Sequence, residues 1–413
     1  MKKFLYLFLY SSILFLLQGC IKDKVTHTYT ILTPIYKTKA EVYGNIKSNS
    51  PKEIQAPGKI FIYDKYIFLN EVDKGVHIID NSNPANPVIK AFIDIPGNLD
   101  IAVKGNTLYA DMYDELVAVD ITNPLNAKLM KNIPGVFPER NYSNGFIANN
   151  GRVIVGWTRK DTTVEVQPSK DYIVYDRMVA ATGFFSNSSK AAAPAPGVAG
   201  SMARFSIVND YLYAVDRHTL KSISISRPNE PHLVTTTNAG WDIETIYPFK
   251  DKLFLGSMGG VFIFDISNGA APVSQGNFVH ARACDPVIAD DQYAYVTLRA
   301  GTTCGPTTNE LEIIDIKDLK SPALLKTYPM TNPKGLGKDN NLLFICDGKE
   351  GVKVYDATHI ADLHLLKTIN GIEANDVIAI GGIILIVANE GLYQYDYSNA
   401  SHISFVSKIP VSK

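Results

Sequence analysis

The sequence predicts an all-β fold, a β-propeller of four-stranded antiparallel blades. Three observations carry that prediction. A unit of about forty residues recurs from Gly58 to the C-terminus. Each unit holds four short apolar runs parted by turn residues, and helix signals are nearly absent. An all-strand repeat of that period is a propeller blade. The clearest copies overlay by eye: GVHIIDNSNPANPV at 75–88, LVAVDITNPLNA at 116–127, GVFIFDISNGAAPV at 260–273 and LEIIDIKDLKSPA at 311–323.

The second copy displays the plan. DIAV (100–103) leads through Lys104-Gly105-Asn106 to TLYADM (107–112), then to LVAVD (116–120), a Thr-Asn-Pro turn and KLMKNI (128–133). Strands of about five residues joined by hairpins suit such a blade. The first run of each unit is small, branched and apolar, as expected of a strand beside the propeller axis. The third run ends in Asp and a polar turn with Asn or Pro, where Asp accepts local backbone N–H groups and Pro stops further pairing. That signature recurs at Asp80, Asp120, Ser226 (with Ser replacing Asp), Asp265, Asp315, Asp356 and Asp396. An eighth, degenerate copy lies between Pro138 and about Gly200, with the strand pair GFIANNGRVIVGW and a third run, DYIVYD. Eight blades are therefore expected, with seven as the alternative if this copy forms no sheet of its own. The small-residue stretch at about 178–200 reads as an exposed insertion loop.

Residues 1–19 read as a targeting segment: Lys2 and Lys3, then the apolar run Phe4–Leu17, too short to span a bilayer. The run ends in Leu17-Gln18-Gly19-Cys20, which resembles a bacterial lipobox, so Cys20 is expected to be lipidated and to hold the protein in the outer membrane. Residues 20–57 form a tether with one strand-prone stretch, and the propeller occupies 58–413. The Lys-Asp pair at 22–23 looks like the surface-export signal of Bacteroidetes lipoproteins. Cys284 and Cys304, both in the sixth repeat, are expected to form a disulfide in an oxidising compartment, and Cys346 a buried free thiol.

GVHIIDNSNPANPV, ELVAVDITNP and GVFIFDISN, each preceded by a run such as TLYADM, resemble the LVIVD family of bacterial surface lipoprotein β-propellers. The resemblance spans about 350 residues and implies the fold. It transfers no catalytic motif.

A net charge of −1 gives no basic footprint, so nucleic acid is not an expected partner. The sequence has no phosphate-binding glycine loop, no G-x-S-x-G elbow and no H-E-x-x-H, and its eight histidines are scattered. No metal site is expected, and the only cofactor considered is a structural cation at the propeller mouth. The residues singled out lie where the chain enters each innermost strand: Asp100, Glu244, Asp285, Lys334 and Asp376, with Trp241 beside them. Converging carboxylates attract cations or cationic ligands, satisfy backbone donors, or act as acid and base on a glycoside. A Trp there stacks a sugar or fills a blade interface. The expected function is a non-catalytic, membrane-anchored module that binds a protein or glycan. The alternatives are a glycoside hydrolase or lyase using the mouth acids, and a structural subunit of an outer-membrane complex.

Overall fold

The computed structural model describes residues 25–138, 151–166, 198–280, 283, 286–301 and 309–412. Cys20, Cys284, Asp285, Cys304 and most of the insertion therefore lie outside the described residues. The chain divides into two units, residues 1–35 with 156–180, and 36–155 with 181–413.

Among the described residues the second unit holds seven blades of four antiparallel strands, I (57–94), II (101–133), III (205–238), IV (243–279), V (287–329), VI (336–369) and VII (374–410), the sheet of blade I being widened to six by two short strands. Within each blade the strands pair in sequence order, and the first strands of successive blades meet one another around the axis. Apolar residues on both faces of these strands build the core between blades, as where Phe254, Val287, Tyr295, Ile313, Leu336 and Leu343 join blades IV, V and VI. Ile60, Ile67 and Leu69 of blade I pack with Leu385, Val387 and Leu392 of blade VII and close the ring.

Among the described residues no eighth blade forms. Its strand-prone run is real, but Arg152–Val166 pairs with Val25–Thr38 in a separate two-stranded sheet. Thr30 Oγ1 donates to Asp161 across that pair at 2.6 Å. DYIVYD lies outside the described residues. Seven blades are thus the count among the described residues.

A short helix, Lys39–Asn45, follows the ribbon strand, started by a reciprocal cap in which Thr38 Oγ1 accepts from Glu41 N and Glu41 accepts from Thr38 N. The chain then straps the ring. Ser48–Asn49 pairs with the outermost strand of blade I, Lys47 bridges to Lys128 of blade II, and Ile54 bridges to Val411 beyond blade VII.

The signature turn has a uniform chemistry. In six blades the Asp Oδ1 accepts the backbone N–H two residues on (Ser82, Thr122, Ser267, Lys317, Thr358, Ser398) at 2.7–3.0 Å. In blade III the register places Ser224, not Ser226, at the Asp position, since Thr219–Ser224 ends where the other third strands end. Ser226 stands where the donor stands elsewhere. Side-chain hydrogen bonds from the residue two positions on, joined by these backbone ones, and at Asp120 the backbone bond first, hold all six Asp carboxyls below the usual carboxylate range, Asp265 at about 2. A carboxyl depressed on folding stabilises above its unfolded pKa, near 4, and that stabilisation vanishes as pH falls through the folded value. Thermal melts are therefore expected to be flat from neutral pH to about pH 5 and to fall steeply between about pH 4 and 2. A melting temperature unchanged across that window would remove the turns from the stability account.

Candidate functional site

The axis of the ring is occupied by the chain itself. Residues 198–204, which connect the insertion to blade III, pass down the centre. Val198 and Ala199 pair antiparallel with Ile62 and Phe61 on the axial side of blade I, making the first strand of that blade a shared one. Gly200, Ser201, Met202 and Ala203 are buried, so the end of the insertion is not an exposed loop.

Polar groups from five blades hold this plug. Asp376 of blade VII accepts from both the N–H and Oγ of Ser201 at 3.2 Å, while Leu336 N of blade VI donates to Ser201 Oγ at 2.7 Å. Lys59 of blade I donates to Met202 O at 3.1 Å, and Ala203 O accepts from Ile246 N of blade IV at 2.8 Å. Asp100 of blade II accepts from Arg204 N and, at 3.2 Å, from Phe205 N. A buried peptide segment must have its donors and acceptors satisfied, and the axial side chains do this.

The entry to blade II shows how a local sequence aims such a carboxylate. Asp111, one strand over, accepts from Leu99 N and Asp100 N at 2.8 and 2.9 Å and from the Asn98 amide at 2.8 Å. That pins the turn, and Asp100 points inward with Lys59 Nζ 3.5 Å away. Burial pushes the Lys59 ammonium down to about 8, against the pull of Asp100.

Of the residues singled out in the sequence, Asp100 and Asp376 are thus buried under the plug, and Asp285 is outside the described residues. Trp241, Glu244 and Lys334 lie at strand entries on one mouth. In these antiparallel blades the turns between second and third strands reach that same end, bringing Arg217, His218 and Arg299 with them. Burial raises the Glu244 carboxyl, opposed by Arg204 and Arg299. Burial lowers the Lys334 ammonium, opposed by Glu373, and Lys334 Nζ donates to Asn375 Oδ1 at 2.6 Å. The charges around this mouth are therefore mixed rather than a ring of acids.

Trp241 is 77% exposed, with His218 edge-on at 5.4 Å between ring centroids. Asp242 holds a left-handed backbone (φ 52°) and pairs with Arg217, while the φ of 128° at Gly240 requires glycine. The backbone is constrained on both sides of the indole. Sequence reasoning missed Arg217, whose only signal was its position in a loop that returns to the mouth. It also missed Ser201, which nothing in GVAGSMARF marks as axial. Cys346 is a buried free thiol, as expected, with its pKa raised by burial. Among the described residues no cluster of three or more metal-ligating side chains occurs.

Residues 58–94 and 98–133, blades I and II, match the LVIVD repeat family. No curated protein matches the chain. Among solved structures, a Lactobacillus plantarum protein superposes with a TM-score of 0.54 at 10% identity, over 86% of this chain and 96% of that one. The computationally designed Ika8 protein gives 0.53 at 9% over 88% and 92%, and Saccharomyces cerevisiae Sqt1 gives 0.52 at 8% over 88% of each. At such identities the likeness is one of fold alone. Among the described residues the chain is a seven-bladed β-propeller whose first two blades match the LVIVD repeat.

Proposed function

We propose that this protein is a non-catalytic binding module, anchored to the outer membrane through a lipidated Cys20, that recognises a protein or glycan at the mouth bearing Trp241, Glu244 and Lys334. The observation that carries the reading is the plugged axis. Asp100 and Asp376, the acids best placed for acid and base roles, are engaged by backbone donors of residues 201–205. A glycosidase needs two carboxyls facing a cleft about 5–10 Å apart, and these two face the chain's own backbone instead. The exposed, backbone-constrained Trp241 is the kind of rigid aromatic anchor that dominates recognition surfaces.

The experiment is a glycan-array screen of residues 21–413 beside Trp241→Ala and Lys334→Ala, with fractionation of full-length Cys20→Ala. Trp241→Ala is expected to lose at least about tenfold in affinity with its melting temperature unchanged, since an exposed ring carries little fold stability. Undiminished binding by Trp241→Ala would move the site off this mouth. Cys20→Ala is expected in the soluble fraction, and persistent membrane association would defeat the anchor.

A further inference from the structure

The mouth that bears Trp241 is tied from blade to blade by hydrogen bonds to its backbone. Ile243 N of blade IV donates to Arg217 O of blade III at 3.0 Å. Thr297 Oγ1 of blade V donates to Lys334 O, at the entry to blade VI, at 2.6 Å. Gly335 N then donates to Asn375 O of blade VII at 2.9 Å. Side chains mounted on this rim keep fixed separations, as a recognition site requires.

Part of the charge on the rim is matched within the protein. Arg217 pairs with Asp242, and Lys334 Nζ donates to Asn375 with Glu373 3.9 Å away. Two guanidiniums are left over. Arg204 ends the plug, and Arg299 follows the second strand of blade V, Tyr293–Leu298. Both residues are half-buried, and neither guanidinium makes a hydrogen bond or an ion pair among the described residues. Each acts on the same carboxyl, Glu244, which is half-buried too and is pushed up by that burial. Burial lowers the Arg299 guanidinium, opposed by Glu244, and Arg299 in turn opposes the charge on Lys334. One carboxyl that burial disfavours as an anion does not neutralise two guanidiniums. A half-buried guanidinium without a partner presents a planar fork of N–H donors, the shape that grips a carboxylate.

We propose that the ligand of this mouth is an acidic glycan, one uronic-acid carboxylate of which is held by Arg299 and Arg204 while a sugar ring stacks on Trp241. The inference rests on the mouth reading above and names the chemistry of its ligand. A cationic ligand is disfavoured, because Asp242 and Glu373 already have cations beside them. The exposed indole favours a sugar over an acidic peptide. A pyranose ring carries a flat C–H face for an aromatic surface and, as a uronic acid, a carboxylate on the same rigid frame. A peptide carries its carboxylates on flexible stems, which costs more entropy to fix.

The test is a calorimetric titration of the full-length protein in mild detergent with trimers of galacturonate and of glucuronate. The comparison ligands are the same trimers with their carboxylates reduced to alcohols, a sulfated galactose trimer and a triaspartate peptide. A uronate trimer is expected to saturate, with an affinity that falls as salt rises, because charges on the rim are screened. Arg299→Gln should weaken it at least about tenfold, and Arg299→Lys less, since lysine keeps the charge without the fork. Glu244→Gln should bind the uronate more tightly than wild type, because the mouth loses its competing anion. That gain keeps the test decisive where Arg299→Gln fails to fold, and a purely structural Glu244 would not produce it. Reduced trimers that bind as well as the acids, and lose binding in Trp241→Ala, would overturn the inference and leave the mouth as the site. Tighter binding of the sulfated trimer or of the peptide would overturn the carboxylated sugar. The inference also fails if neither uronate saturates, or if Arg299→Gln and Glu244→Gln both bind like wild type. Uronate binding that Trp241→Ala leaves untouched as well would remove the mouth itself.

Discussion

Asp100→Ala is expected to cost about 3–5 kcal/mol, the range for removing one partner of a buried ion pair. Two losses combine. Lys59, 5% exposed at its side chain, would keep a buried ammonium whose nearest anion is gone. The backbone N–H groups of Arg204 and Phe205 would lose their acceptor, leaving the lower end of the plug unheld. Asp100→Asn keeps the shape and an acceptor oxygen, so it should cost less than Asp100→Ala. Lys59→Met paired with Asp100→Ala should recover some of the loss, because the stranded charge goes with it. The measurement is urea unfolding of the four proteins, with amide exchange read at residues 201–205. The plug amides should exchange faster in Asp100→Ala before those of blade II do. A wild-type midpoint and unchanged exchange would show that Asp100 does not hold the plug.

The position of Asp100 was legible in the sequence, but its occupation was not. Acidic residues at the entries to the first strands followed from the repeat, and two of them proved to serve backbone donors, one of the roles weighed from sequence. The donors they serve belong to residues 201–205, about a hundred positions from Asp100 and more from Asp376. No local pattern reports so distant a contact. The blade count failed for a related reason. GRVIVGW has the alternation of a strand and is one, but periodicity does not name a partner, and this strand pairs with Val25–Thr38 rather than with a hairpin neighbour. The slip between Ser224 and Ser226 is a register error in a copy without the Asp that marks the strand end. The helix at Lys39–Asn45 was missed as well, absorbed into a strand-prone stretch, although Thr38 and Glu41 stand at the spacing of a capping box. Arg217, beside Trp241, escaped because loops carry no period, and loops form the mouth.

The same alanine should have opposite effects at two glycines, and the contrast tests how tightly the axis is packed. At Gly335 a Cβ would lie 2.0 Å from Asp376 Oδ1 and 2.9 Å from its Cα. Neither side can yield easily. Gly335 N donates to Asn375 O and its carbonyl accepts from Cys346 N, both at 2.9 Å, which fixes the backbone of blade VI against blade VII. The carboxylate is itself bonded to Ser201. Gly335→Ala must therefore push Asp376 off the plug or force blades VI and VII apart at the axis, and overpacking of this kind costs about 1–3 kcal/mol before the lost hydrogen bonds are added. Gly44 lies in the helix Lys39–Asn45 with nothing within 4 Å of its missing Cβ. There Gly44→Ala should stabilise by about 0.5–1 kcal/mol, since it restricts the unfolded chain and touches nothing. Paired melts of the two variants give the result directly. If Gly335→Ala melts like Gly44→Ala, blades VI and VII have room at the axis and Asp376 is free to leave Ser201. If the two melting temperatures diverge by several degrees, the plug belongs to the ring's packing, and any ligand of this propeller must be read at its mouth.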